Sequence, residues 1–130
     1  RYAYQSYFVG DVYVHGLVPW GLFIFNDASS GGYFNCYYSN ITRNQTGNKW
    51  NMEYQAGSYG TLDTTTLEYF GQDDNGIKIC SDNIYVQYCT IRNPVYTSSI
   101  GKGINVNQSC PTIISNTITG LGTTGGRGIY

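Results

Sequence analysis

Charged residues are scarce in this chain of 130 residues. They make up 12% of the composition, and their signs nearly cancel to a net charge of −1. Without a net positive charge, the chain offers no electrostatic reason to bind nucleic acid or an anionic membrane. Long apolar runs are missing too, since none approaches the roughly 18 residues that a membrane-spanning helix needs. We therefore predict no nucleic-acid partner and no membrane span.

Signals for α-helix are equally weak. The residues that favour helix are few, and no window of about 11 to 18 residues carries a sustained helical stripe of apolar side chains. Aromatic residues, in contrast, make up 16% of the chain, with 14 Tyr, and Gly occurs 17 times. Tyr, Phe, Val, Ile and Thr favour strands. The length is that of one domain, so residues 1–130 are predicted to form a single all-β domain.

The four cysteines show no C-x-x-C spacing, which weighs against a zinc site. Cys36 and Cys89 occupy apolar positions of alternating segments, where a buried thiol behaves as a small hydrophobic group. Cys80 and Cys110 lie near turns, so the sequence is compatible either with a disulfide between them or with two free thiols. We predict no cofactor.

A repeat of about 26 residues, within the range typical of solenoid proteins, is the strongest pattern in the chain. Four short segments share the order small, polar, branched aliphatic, polar. Their aliphatic positions recur at nearly even gaps of roughly 24 to 27 residues. These positions are Ile41, Leu67, Ile91 and Ile118. Such repeats indicate a solenoid, in which each unit buries its apolar face by stacking on its neighbours.

A second column of apolar residues supports the first. Its members are Leu22, Trp50, Ile77, Ile104 and Ile129, at spacings of roughly 25 to 28 residues. In the third and fourth units the step from this column to the first is the same, from Ile77 to Ile91 and from Ile104 to Ile118. Because the spacing of the two columns varies in the same way, they indicate a β-solenoid.

One unit contains three short strands, at residues 76–79, 83–86 and 89–92, which would pair in parallel with their equivalents one unit away. With their counterparts in the next unit, these segments resemble the right-handed parallel β-helix family over roughly residues 10–130. The resemblance implies about five coils of roughly 26 residues. It does not select a function, because polysaccharide lyases, glycoside hydrolases, tailspikes and adhesins share this fold. Asn44 and Asn93 fit the family's stacked asparagines, whereas Gly71 and Gly120 interrupt them.

Both ends of the chain are predicted to be incomplete, uncapped coils. Val14 lies about one repeat before Ile41, so the chain begins in the second half of a coil, whereas residues 128–130 form the first strand of one. Open strand edges pair with other chains. The two explanations are head-to-tail stacking of identical subunits and a piece of a longer β-helix. Stacking would build an open filament with a rise of about 24 Å per subunit. The predicted assembly interface comprises Tyr4, Tyr7, Val12, Val14, Gly128, Ile129 and Tyr130.

Catalytic candidates are few. Enzymes of this fold use carboxylates on a strand face, and the strand carboxylates here are Glu53, Asp63 and Glu68. Glu68 shares an outward column with Arg92 one coil away, so a surface ion pair is the simpler explanation for it.

Metal and histidine chemistry are also weakly indicated. Asp73 and Asp74 could ligate calcium, although Asp-Asp-Asn before Gly is ordinary turn chemistry. His15 is predicted to be an exposed strand residue.

Three sequons, at Asn40, Asn44 and Asn107, could accept N-glycans and favour a secreted or cell-surface protein. The tyrosines expected on exposed faces could stack on sugars, pack against a neighbouring filament, or stabilise the sheet. They are Tyr13, Tyr85 and Tyr69, with Tyr38 and Tyr88 at the bends.

The sequence therefore predicts a structural protein that polymerises with itself into an extracellular filament, and it favours no enzymatic activity. The alternative is a fragment of a larger carbohydrate-active or carbohydrate-binding β-helix protein.

Overall fold

The computed structural model describes residues 6–14, 22–24, 33–43, 50–69, 75–93, 101–120 and 126–130. These residues form thirteen strands and no helix. In chain order the strands are β1 (Ser6–Val14), β2 (Leu22–Ile24), β3 (Tyr33–Arg43), β4 (Trp50–Tyr54), β5 (Tyr59–Asp63), β6 (Thr66–Tyr69), β7 (Asn75–Ile79), β8 (Ile84–Gln87), β9 (Thr90–Arg92), β10 (Lys102–Val106), β11 (Thr112–Ile114), β12 (Thr117–Thr119) and β13 (Arg127–Ile129). The predicted all-β class is confirmed.

Every strand pairing in the described residues is parallel, and the paired strands come from successive repeats. One sheet has five strands in the order β13-β10-β7-β4-β2. The other has eight, in the order β11-β8-β5-β3-β6-β9-β12, with β1 also paired to β3. Three consecutive strands therefore form one repeat, as in β4–β6, β7–β9 and β10–β12. This arrangement is consistent with a parallel β-solenoid.

The two apolar columns seen in the sequence are ladders of the sheets. The first is confirmed, because Ile41, Leu67, Ile91 and Ile118 are partners in successive strands. The second is Leu22, Met52, Ile77, Ile104 and Ile129. A third, through β3, β5, β8 and β11, contains Cys36, Leu62, Val86 and Ile113. The core is built from these stacked side chains.

Two predicted alignments are wrong by two positions. Met52, rather than Trp50, lies beside Ile77 in the second ladder. Val12, rather than Val14, lies beside Ile41, since Val14 pairs with Arg43. Strand side chains alternate between faces, so a shift of two positions keeps the same face and leaves the apolar pattern unchanged. For that reason the periodicity alone could not choose between these positions.

Tyr54 fills the interior because β5, a strand of the other sheet, carries a glycine. A Cβ atom added at Gly60 would lie 2.2 Å from the Phe34 carbonyl oxygen and 2.6 Å from Cε1 of the Tyr54 ring. The Tyr54 hydroxyl donates a hydrogen bond of 3.0 Å to the same Phe34 oxygen. Burial raises the pKa of Tyr54 well above its usual value, so the ring stays neutral and supplies a satisfied polar group to the core.

Candidate functional site

Burial of the apolar ladders decreases at the last repeat. Ile77 and Ile104 are fully buried, whereas 57% of Ile129, the next member of their ladder, is exposed. The other two ladders follow the same trend, because Ile113 and Ile118 are only partly buried while their partners one repeat earlier are fully buried. We call the edge formed by β11, β12 and β13 the open edge. In the described structure each of these strands pairs on one side only.

Glycines line the inner surface that leads to the open edge. A Cβ at Gly76 would lie 2.2 Å from the carbonyl oxygen of Gly103, and a Cβ at Gly103 would lie 2.8 Å from that of Gly128. At Gly128 a Cβ would meet no atom within 4 Å. Gly76 and Gly103 thus make room for the backbone of the next repeat.

Two cations hold the aromatic ring at the open edge. Nζ of Lys102 lies 4.3 Å and Cζ of Arg127 lies 4.4 Å from the centroid of the Tyr130 ring. Lys102 and Arg127 are direct partners of adjacent strands. Cation–π contacts at this distance offset part of the repulsion between the two positive charges. The ring therefore fixes the position of β13 against β10.

Each repeat turns through an equivalent bend between its second and third strands. The first bend residue has a positive φ of 49° at Tyr38, 49° at Thr64, 54° at Tyr88 and 53° at Ser115. Positive φ is uncommon for residues other than glycine and is least expected for bulky side chains. This column therefore carries backbone strain in four successive repeats.

A ladder of small polar side chains follows the bends on the inside. Ser39, Thr65 and Cys89 are buried, and each donates to the carbonyl oxygen two positions earlier. The pairs are Ser39 Oγ to Tyr37 O at 2.7 Å, Thr65 Oγ1 to Asp63 O at 3.0 Å and Cys89 Sγ to Gln87 O at 3.2 Å. Asn116 ends the ladder by bonding to both Cys89 N and Val86 O at 2.8 Å. This ladder satisfies backbone groups that the bends would otherwise leave unpaired.

Because the Cys89 thiol is buried, we expect the free energy of unfolding to fall at alkaline pH. Burial raises the pKa of Cys89 from 9.0 to about 11. A raised folded-state pKa contributes stability that is present below about pH 9 and is lost as the pH rises through about 11. We expect a loss of about 1 kcal/mol between pH 8 and pH 10 from this group. Cys89→Ser introduces the residue that the equivalent position Ser39 already has. In this variant the free energy of unfolding in urea should fall by about 1 kcal/mol less between pH 8 and pH 10 than in the unsubstituted protein.

Five exposed tyrosines form one surface across β3, β5, β8 and the adjoining bends. We call it the tyrosine surface, and its members are Tyr33, Tyr38, Tyr59, Tyr85 and Tyr88. Tyr33 and Tyr59 are partners in adjacent strands. The predictions for Tyr85, Tyr38 and Tyr88 are confirmed as to exposure, whereas Tyr33 and Tyr59 were not anticipated. Their spacing of one repeat is the signal that would have identified them.

Fixed polar groups lie among the tyrosines. The Asp63 carboxylate accepts a hydrogen bond of 2.8 Å from Gln87 Nε2 and one of 2.9 Å from Thr64 Oγ1. Asn35 Nδ2 donates to the Tyr33 hydroxyl at 2.7 Å. The Oδ1 atom of Asn35 is buried and has no hydrogen-bond partner among the described residues. Side chains held in this way are pre-organised, which reduces the entropic cost of binding a polar ligand.

The three candidate catalytic carboxylates lie on three different strands and have different partners. Glu53 on β4 accepts a hydrogen bond of 2.9 Å from Lys78 Nζ, and this bond raises the pKa of Lys78. Glu68 on β6 pairs with Arg92 on β9, as the sequence predicted. Asp63 on β5 is held by Gln87. The structure therefore engages each carboxylate with a neighbouring repeat.

All four cysteines carry free thiols in this structure: Cys36 and Cys89 are buried, Cys80 is partly buried and Cys110 is exposed. Asn40 and Asn107 are exposed.

Several predicted positions lie outside the described residues: Tyr4, His15, Asn44, Gly71, Asp73 and Asp74. For Tyr7, Val12, Tyr13, Val14 and Tyr69 only the strand positions are described. Within the described ranges, no group of three or more His, Cys, Asp or Glu side chains is arranged to hold a metal ion. The same residues include no helix long and apolar enough to cross a membrane.

Comparison with known proteins adds no relative. No protein-family model, no curated protein and no solved structure matches this chain.

Proposed function

We propose that this chain is a right-handed parallel β-helix of about five coils, roughly 26 residues each, whose role is structural. Copies stack head to tail through open coil ends and build an extracellular filament. The protein is secreted or presented at a cell surface, where Asn40, Asn44 and Asn107 accept N-glycans. The proposal rests on the joint loss of burial in all three ladders at the open edge.

The open edge supports stacking because its apolar residues already stand in register with the core. A docked strand would continue the ladder of Ile77, Ile104 and Ile129 and remove the last member from water. Burial of apolar area contributes about 25 cal/mol per Å². Unpaired N–H and C=O groups along the same edge would gain partners at the same time. Within the described residues β1 pairs only with β3 and β2 only with β4, so the opposite face offers strands to complete the joint.

Gly128 gives a direct test of the joint. Gly76 and Gly103, earlier in its column, each face the carbonyl oxygen of the equivalent glycine in the next repeat. A docked copy would therefore place a carbonyl oxygen where the side chain added by Gly128→Val begins. Because a Cβ at this position meets nothing within the subunit, Gly128→Val should fold normally yet elute as a monomer. The unsubstituted chain should elute as large, polydisperse particles in size-exclusion chromatography.

Thr119→Val is the matched control. Thr119 belongs to the same last repeat, but its side chain is exposed on the outer surface. This variant should assemble like the unsubstituted chain. Equal assembly of Gly128→Val, or a monomeric unsubstituted chain, would contradict head-to-tail stacking and would favour a piece of a longer β-helix.

A further inference from the structure

The bend tyrosines occupy a backbone conformation that suits them poorly. Tyr38 and Tyr88 have positive φ values of 49° and 54°, yet 72% and 60% of these residues are exposed. Asn or Gly would adopt this conformation with less strain. Side chains so exposed contribute little to the core. Thr64 and Ser115 adopt the same conformation in other repeats, so the fold requires the bend but does not require a large exposed ring there. The two rings are therefore better explained by a ligand.

The rest of the tyrosine surface shows what kind of ligand it suits. In residues 33–37 of β3 and in β5 and β8, the eight positions that alternate with the core positions include one charged residue, Asp63, and no cation. These residues are Tyr33, Asn35, Tyr37, Tyr59, Thr61, Asp63, Tyr85 and Gln87. A surface without cations does not attract nucleic acid, acidic polysaccharide or anionic lipid. Flat amphipathic rings beside fixed amide and carboxylate groups instead match a neutral ligand with apolar faces and many hydroxyls.

We propose that the tyrosine surface binds an extended neutral polysaccharide, whose chain runs across the strands along the column of bends. Sugar rings stack on Tyr38 and Tyr88, and the carboxylate of Asp63 accepts hydrogen bonds from sugar hydroxyls. Thr64 stands between the two tyrosines, which lie two repeats apart. At about 4.8 Å per repeat the tyrosines are separated by about 10 Å, a distance comparable with the length of a disaccharide.

The test is titration calorimetry with cellohexaose and mannohexaose as neutral probes and a galacturonic acid hexamer as the acidic probe. The Gly128→Val background keeps filament formation out of the measurement. We expect at least one neutral probe to bind and the acidic probe not to bind. Tyr38→Asn and Tyr88→Asn should each weaken binding at least tenfold. The midpoint of urea unfolding should not fall in either variant, because Asn tolerates positive φ.

Gln108→Asn is the matched control, since Gln108 is also exposed at a positive φ of 53° but lies away from the tyrosine surface. Its affinity should equal that of the background protein. The proposal is overturned if neither neutral probe binds, if only the acidic probe binds, or if the tyrosine variants bind as well as the control. It is also overturned if the tyrosine substitutions lower the unfolding midpoint without changing affinity, which would assign these residues to the fold.

Discussion

Replacement of Ile91 by alanine is expected to lower the free energy of unfolding by about 2–5 kcal/mol, the range for deleting a fully buried aliphatic side chain. Ile91 is fully buried between Leu67 and Ile118. Both neighbours belong to rigid parallel strands, so the cavity cannot close easily. Urea unfolding at neutral pH, followed by circular dichroism, measures the effect.

Ile118→Ala makes the same chemical change one repeat later in the same ladder. Because Ile118 is only partly buried, its loss should cost clearly less in the isolated subunit. The comparison should be made in the Gly128→Val background, where no second copy covers Ile118. Equal costs for the two substitutions would contradict the view that each repeat is stabilised by the one stacked on it.

The second large effect is expected for Gly76→Ala. The added Cβ would lie 2.2 Å from the Gly103 carbonyl oxygen and 3.0 Å from Cγ2 of Ile91. Backbone cannot move aside as a flexible side chain does, so β7 and β10 must separate. Overpacking of this kind costs about 1–3 kcal/mol and occasionally more. Thermal and urea unfolding of Gly76→Ala and of the unsubstituted protein measure the difference in stability.

Gly128→Ala is the control for this substitution, because its Cβ meets no atom within 4 Å. The comparison is made between subunits that do not assemble, because the added Cβ is expected to block stacking as well. Gly128→Ala should then be as stable as Gly128→Val, whose Cβ likewise meets no atom within 4 Å. A large loss of stability in Gly128→Ala, or none in Gly76→Ala, would contradict the close approach of neighbouring strands at Gly76.

The repeat was predictable because its members are chemically similar and evenly spaced. Ile41, Leu67, Ile91 and Ile118 are interchangeable aliphatic residues in one ladder, so their spacing predicted which strands pair. The ion pair of Glu68 with Arg92 followed from the same register. Trp50 was placed wrongly because Met52, two positions later, is equally apolar, and the apolar pattern of a strand repeats every two residues.

The third ladder could not be read from the sequence for a different reason. Gly60 interrupts the apolar column two positions before this ladder, where Phe34 and Ile84 are the equivalent residues. The space it leaves is filled by Tyr54 from the other sheet, and no local pattern reports a contact between sheets. The bends at Tyr38 and Tyr88 were predicted, but their positive φ was not, because Tyr, Thr and Ser are not the residues that signal positive φ.

X-ray diffraction from aligned fibres of the unsubstituted protein tests the central claim most directly. Head-to-tail stacking predicts rods whose strands lie perpendicular to the axis, with a meridional reflection at about 4.8 Å and a subunit repeat of about 24 Å. Particles that stay monomeric at high concentration, or rods whose strands run along the axis, would contradict stacking through the open edge.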